Sequence, residues 1–271
     1  MKLTSVPKYL MLLMGRNGDK GLGFAFLTTV AKRVLPGYRL TWPELAWFAD
    51  PELNSILERF DEKDGLNAHR RLALQELLRL TADVPGDTAE CGVYKGCGSY
   101  IILRSNARGI QKRIHHIFDS FGGLSAPAAE DGDYWRTGDL AISEQMVRAN
   151  LREFSDVEYH KGWIPDRFTD VADRAFSFVH VDVDLRQPTL DSVEFFYPRL
   201  SDGGILVCDD YGFLTCPGAT EAVDQFLTDK PEKMLRLPGG GGFFIKGAVT
   251  RGAPASKVSA GARSVALSGT A

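Results

Sequence analysis

The chain has 271 residues, 44% hydrophobic and 25% charged, which is enough for one large α/β domain with extensions. A formal net charge of −3 and a pI near 6.0 provide no broad basic footprint, so nucleic acid is not the expected partner. The four cysteines, Cys91, Cys97, Cys208 and Cys216, have no CxxC spacing, and two fall inside apolar strands. Buried thiols in a cytoplasmic protein are expected, rather than disulfides or a cysteine zinc site.

The first 36 residues alternate apolar runs with Lys8, Arg16, Asp19, Lys20 and Lys32. No run reaches the roughly 18 residues a spanning helix needs, and no secretory cleavage pattern follows. A packing or lid segment is expected, with self-association through the N-terminal helices left open. Residues 1–84 read as a helical extension. Pro43 opens a short helix after Thr41, and Leu53, Ile56, Leu57 and Phe60 recur at helical spacing. In the next helix Leu72, Leu74, Leu77, Leu78 and Leu80 share a broad face that should pack on a sheet, while Arg59, Arg70 and Arg71 read as solvated charges, with substrate contact as the alternative.

A first strand, residues 87–91, runs into glycines 92, 96 and 98 and then a helix from Ser99. The spacing GxxxGxG differs from the dinucleotide fingerprint GxGxxG, but glycines here still let a backbone approach a ligand at a helix N-terminus. Glu90, just before the first glycine, is placed to accept from a ligand's ammonium group. The second strand ends in Asp119, where nucleoside-binding α/β proteins grip ribose hydroxyls. His115 and His116 read as one core and one surface residue, neither a metal ligand. Residues 122–140 break the α/β rhythm and read as a lid anchored by Tyr134 and Trp135. Ser143 should cap the following helix. The third strand ends at Gly162-Trp163, which places an indole at the ligand edge.

The stretch from Phe176 to Gly212 reads strand, helix, strand, and each strand ends in two acids, Asp182 and Asp184, then Asp209 and Asp210. In a parallel sheet these exits are neighbours on the ligand-binding edge. Without basic partners each close pair would cost on the order of 4 kcal/mol at about 4 Å and an effective dielectric of about 20. A divalent cation would relieve that. Asp182 and Asp184 are two apart and share a side while the chain stays extended. A helix from Pro188, a helix over residues 218–230 and an antiparallel pair joined through glycines 239–242 complete the domain, residues 85–247. Residues 248–271 are rich in Ala, Gly, Ser and Val without acids and read as a flexible tail.

This layout resembles the class I S-adenosylmethionine-dependent methyltransferases: a Rossmann-like, mostly parallel seven-stranded sheet with helices on both faces and an antiparallel last strand. PGDTAECGVYKGCGS, GWIPD and HVDVDLRQPTLDSVEFFYPRLSDGGILVCDDYG are similar to the macrocin O-methyltransferase family, whose members methylate sugar hydroxyls in antibiotic and related pathways. The similarity covers about residues 85 to 245. It implies S-adenosylmethionine bound by Glu90, Cys91, Gly92, Tyr94, Gly96, Ser99, Asp119, Ser120, Ser143, Trp163 and Asp182. It further implies magnesium held by Asp182, Asp209 and Asp210, with Asp184 as general base and a glycoside or saccharide as acceptor. Which of Asp184 and Asp182 is the base stays open, and His180 is an alternative inside an apolar strand. Arg186 stands where many relatives have Tyr, on the acceptor side. A nicotinamide-dependent reductase would need Tyr-x-x-x-Lys, which is absent. A non-catalytic nucleotide- or sugar-binding protein would have little use for four clustered acids.

Overall fold

The computed structural model describes residues 20–247 apart from residue 64. The expected tail and the first 19 residues lie outside the described residues. The chain divides into two compact units, Met1–Glu58 and Arg59–Ala271.

In the first unit helix α1 (Lys20–Val34) has no buried side chain; Phe24 meets Trp42 edge-on at 5.6 Å, and Lys20 pairs with Glu44 at 3.2 Å. The helix expected from Pro43 is only a 3-10 turn, Ala46–Ala49. The helical start lies further on because Asp50 caps α2 (Pro51–Arg59), its Oδ1 accepting from Glu52 N at 2.9 Å and Leu53 N at 3.1 Å. Leu53, Ile56 and Leu57 are buried as their spacing predicts.

The second unit begins its regular structure with α3 (Ala68–Leu80), which packs chiefly on α4 (Cys97–Arg108) rather than on strands. Leu74, Leu77 and Leu78 face inward, whereas Leu80 is exposed. Seven strands form one sheet: β1 (Asp87–Cys91), β2 (His115–Asp119), β3 (Val157–Lys161), β4 (Phe176–Val181), β5 (Leu200–Cys208), β6 (Leu235–Arg236) and β7 (Gly242–Ile245). Their order is β3-β2-β1-β4-β5-β7-β6, the first five parallel and β7 antiparallel to β5 and β6. The expected mostly parallel sheet with an antiparallel close is therefore observed. β4 is buried at all six positions because helices cover both of its faces.

Alternate residues choose the two faces. Ala89, Cys91, Phe118, Val179 and Val181 meet Val193 and Phe196 of α6 (Arg186–Phe196) and Val223 of α7 (Pro217–Phe226) in the main core. Thr88, Glu90, His115 and His180 face α4, and they are polar. His115 and His116 are both fully buried, so neither is the surface residue expected; helices on both sides of the sheet leave β2 no solvent face.

A second buried polar knot closes the antiparallel end. Glu232, 2% exposed, accepts from the Tyr197 hydroxyl at 2.7 Å and from Gly247 N at 2.9 Å. Glu232→Ala leaves both donors without this acceptor and is expected to cost about 1–3 kcal/mol, read as a lower urea midpoint with an unchanged slope.

Candidate active site

The strand exits open into one cavity of about 450 Å³. Gly92, Tyr94, Asp119, Ser120 and Trp163 line one part of it, and Asp182, Asp184 and Asp210 another. Six of these come from strand ends or the residues just after them, which follows from the parallel order of β3-β2-β1-β4-β5.

At the first part, Asp119 shapes the glycine turn. Its Oδ2 accepts from Val93 N at 2.7 Å and its Oδ1 from Phe121 N at 2.6 Å. Burial pushes the Asp119 carboxyl up, and these two backbone hydrogen bonds pull against it. Gly92, at φ +78°, passes so close to β4 that a Cβ there would lie 1.9 Å from the Asp182 carbonyl oxygen. Trp163 presents a half-exposed ring to the cavity.

Five expected donor-binding residues lie elsewhere. Cys91 is in the core, Gly96 packs near Leu151, and Ser143 caps α5 (Glu144–Asn150) by accepting from Met146 N at 3.2 Å. Glu90 is 2% exposed, and both its oxygens are taken: the Ser99 hydroxyl donates to one and His180 Nδ1 lies 2.7 Å from the other. Gly98 makes room for this arrangement, since a Cβ there would sit 2.0 Å from Glu90 Oε1. Glu90 and Ser99 thus belong to a buried polar line: Asn106 to Thr88 at 2.8 Å, Thr88 to His115 at 3.0 Å, His115 to Ser99 at 2.9 Å, then Glu90, His180 and Asp209.

The four acids do not share one side. The chain turns out of β4 at Asp184, whose φ is +60°, and Leu185 N donates back to Val183 O at 2.6 Å. Asp210 fixes that turn, its Oδ2 accepting from Val183 N at 3.2 Å and Asp184 N at 2.8 Å. Among the described residues, donor atoms within 4.8 Å of one another form two sets at this edge: His180, Asp182 and Asp209, and Asp184, Asp210 and Cys216. Asp182, Asp209 and Asp210 are therefore neighbours but not one gathered set.

Nor do the acids lack basic partners. Arg70 is paired with Asp209 Oδ2, Arg71 Nη1 lies 3.8 Å from Asp182, and His180 Nε2 lies 3.4 Å from Asp209. Both arginines are largely buried, contrary to their reading as solvated charges. Arg71 stands three before Leu74 and seven before Leu78, so the inward spacing already carried it; its charge masked the signal. Arg71 also pairs with Glu62 at 2.8 Å. With Glu62 and Glu90 drawing on two of the three cations, negative charge remains in excess.

The carboxyls respond accordingly. Burial and the charge of Asp209 push Asp182 up to about 8, and burial pushes Asp184 to about 6. Asp210 rises well above the carboxylate range through burial and repulsion from Asp184, Asp182 and Asp209. Burial would raise Asp209 too, but the His180 hydrogen bond and the Arg70 charge outweigh it and hold that carboxyl low. At His180, burial is overcome by the hydrogen bonds to Asp209 and Glu90, and the imidazole is raised to about 10.

Asn67, Arg70, Arg71, Gln187 and Asp191 complete the acidic part of the cavity, and Leu124, Ser125, Trp135 and Leu140 belong to the expected lid. That segment is anchored by Asp131 more than by its aromatics. Asp131 is 3% exposed and accepts from Arg186 N at 2.6 Å and Ala128 N at 2.9 Å, while Trp135 Nε1 donates to Cys216 Sγ at 3.3 Å.

Residues 67–236 match the family described as Macrocin-O-methyltransferase (TylF). The chain belongs to the macrocin O-methyltransferase family. It is 30% identical over 182 residues to a demethyldecarbamoylnovobiocin O-methyltransferase of Streptomyces niveus, covering 59% of this chain and 68% of that protein. It is 33% identical over 153 residues to 8-demethyl-8-(2,3-dimethoxy-alpha-L-rhamnosyl)-tetracenomycin-C 4'-O-methyltransferase of Streptomyces olivaceus, covering 52% and 58%. A third relative, mycinamicin III 3''-O-methyltransferase of Micromonospora griseorubida, is 30% identical, and the match spans 61% of it. The solved structure of the O-methyltransferase NovP superposes with a TM-score of 0.55 at 25% identity, over 70% of this chain and 87% of NovP. The calicheamicin methyltransferase CalS11, at 17% identity and a TM-score of 0.61 over 86% and 95%, shares the fold. Family and fold are those of class I methyltransferases.

Proposed function

We propose that this O-methyltransferase carries a methyl group from S-adenosylmethionine to a sugar hydroxyl of a glycosylated small molecule. The observation that carries the reading is the single cavity, lined by Gly92, Asp119 and Trp163 at one part and by Asp182, Asp184 and Asp210 at another. The names of the three relatives, one of which specifies a rhamnosyl substrate, support the acceptor class.

S-adenosylmethionine supplies an electrophilic methyl on a sulfonium. The Asp119 oxygens accept from ribose hydroxyls, Gly92 lets the backbone approach, and the Trp163 indole offers its face to the adenine. Glu90 acts at one remove, fixing His180 and through it Asp209. Asp184 takes the proton from the acceptor hydroxyl, and its raised carboxyl is a stronger base than an ordinary aspartate. Gln187 and Asp191, on the first turns of α6, offer hydrogen bonds to other sugar hydroxyls. Holding both reactants in one cavity supplies much of the rate enhancement.

The buried, mutually repelling carboxylates fit a hard divalent cation in donor chemistry and in charge. Magnesium at this edge would be held by Asp182, Asp209 and Asp210, which stand in two adjoining donor sets and would have to draw together on it, and it would lower the pKa of a bound hydroxyl. Four buried free cysteines accord with a cytoplasmic setting, and no helix among the described residues is long and apolar enough to cross a membrane.

Calorimetry with S-adenosylmethionine, paired with a labelled-methyl screen of glycosides, tests the reading. Asp119→Ala should weaken donor binding at least about tenfold. Chelation should stop transfer and magnesium restore it. Binding of NADPH in place of S-adenosylmethionine, or full activity of both Asp209→Ala and Asp210→Ala after chelation, would sink it.

A further inference from the structure

His116 and His160 lie on the sheet face turned away from α4, outside the cavity, and the methyl-transfer reading uses neither. His116 on β2 lies directly across from Glu158 on β3, and His160 follows two residues on, so all three side chains share a face. His116 Nδ1 lies 3.1 Å from His160 Nε2 and 3.5 Å from Glu158 Oε2, and the latter two are 4.0 Å apart. Each imidazole turns its other nitrogen to a carboxylate. His116 Nε2 is 3.4 Å from Asp87 Oδ2, and His160 Nδ1 is 3.0 Å from Asp170 Oδ2. Asp170 is held in turn by Arg167 at 2.6 Å, and Asp87 by Ile114 N at 2.9 Å.

Proton counting makes this arrangement informative. A neutral imidazole has one N–H. When both outer nitrogens donate to their carboxylates, the inner nitrogens face each other as bare lone pairs, with a third acceptor at Glu158. Three converging lone pairs need a cation. Carboxylate-oriented histidines are the usual outer support of metal-binding imidazoles, because the carboxylate fixes both tautomer and ring direction. Tetrahedral bonds of about 2.0–2.1 Å set ligand atoms about 3.3 Å apart, within the spread of the three separations here.

We propose that His116, His160 and Glu158 form a second metal site, taking a zinc-class divalent cation and separate from the acidic edge of the cavity. Two nitrogens and one carboxylate oxygen suit a borderline metal rather than magnesium. Glu158 is half exposed, which gives the ion an entry and leaves a coordination position for water. The site ties the edge strand β3 to β2. Strand β3 leads directly into Gly162 and Trp163 at the cavity, and the His160 ring stacks on Phe118, another cavity residue, at 4.5 Å. The metal therefore fastens the wall against which the donor is expected to lie.

Chelator-stripped full-length protein titrated with zinc against a chromophoric chelator tests the site, with cobalt absorption as a second readout. At least one equivalent should bind in wild type, and one should remain in the Asp209→Ala/Asp210→Ala double variant. His160→Gln should lose it, and Asp170→Asn should weaken it about 10–100-fold by releasing the ring. Glu158→Gln changes only a half-exposed side chain, and it should weaken zinc binding while circular dichroism and the urea midpoint stay unchanged. The proposal is overturned if binding needs Asp209 and Asp210 and ignores Glu158 and His160. It is equally overturned if no zinc binds and imidazole nitrogen shifts show a proton shared between His116 and His160.

Discussion

Asp184→Asn is expected to lower turnover by about 10²–10⁴-fold while calorimetric affinity for S-adenosylmethionine is retained. Asparagine tolerates the left-handed backbone of this position, φ +60°, better than most residues. The backbone amide of residue 184 would still donate to Asp210 Oδ2, so the turn out of β4 should persist. The change therefore removes the basic oxygen and little else, and single-turnover rates with saturating donor would show the loss in the chemical step. If Asp182→Asn gave that loss and Asp184→Asn did not, the base would be Asp182. The two can be told apart because they sit in different groups, Asp182 beside His180 and Asp209, and Asp184 beside Asp210 and Cys216.

Gly92→Ala should be the most damaging single methyl added to the chain. The new Cβ would lie 1.9 Å from the Asp182 carbonyl oxygen, and the position has φ +78°. A flexible side chain could move aside, but this neighbour is backbone, held beside β1 by the Asp182 N to Cys91 O bond of 2.9 Å. Relief requires separating β1 from β4 at their exits, which opens both the donor turn and the acidic edge. Left-handed strain and the clash together should cost more than about 3 kcal/mol. Urea unfolding should show a much lower midpoint, and donor binding should be lost. Wild-type values for both would refute the close approach.

These two residues also mark how far the sequence could be read. Gly92 stood out because a glycine between a strand and a helix lets the backbone approach a ligand at the helix N-terminus. Asp119, Asp182, Asp184, Asp209 and Asp210 stood out because acids at strand ends meet the ligand edge of any parallel sheet. Glu90 was equally visible, but the partners of its two buried oxygens were not. Its neighbours Ser99 and His180 are 9 and 90 residues away in sequence, and only the β1–β4 pairing brings His180 to it. Arg70 was hidden for a similar reason: it lies 139 residues from Asp209, so nothing local indicated that it would neutralise that acid.

The sequence by itself determined the order of strands and helices, the mostly parallel sheet with its antiparallel close, the family, and the edge at which the chemistry should lie. Periodicity, glycine position and the placement of acids are local properties, and a parallel sheet turns them into a site by rule. Only the tertiary structure decided how the charges are shared. The left-handed backbone at Asp184 puts it in a different donor set from Asp182, with which an extended chain would have aligned it. Arg70 and Arg71 then bring positive charge from a helix remote in sequence, and His180 brings it from β4 to Asp209 at the exit of β5. Electrostatic partnership depends on distance in space, and that distance is set by packing between segments rather than by any pattern within one.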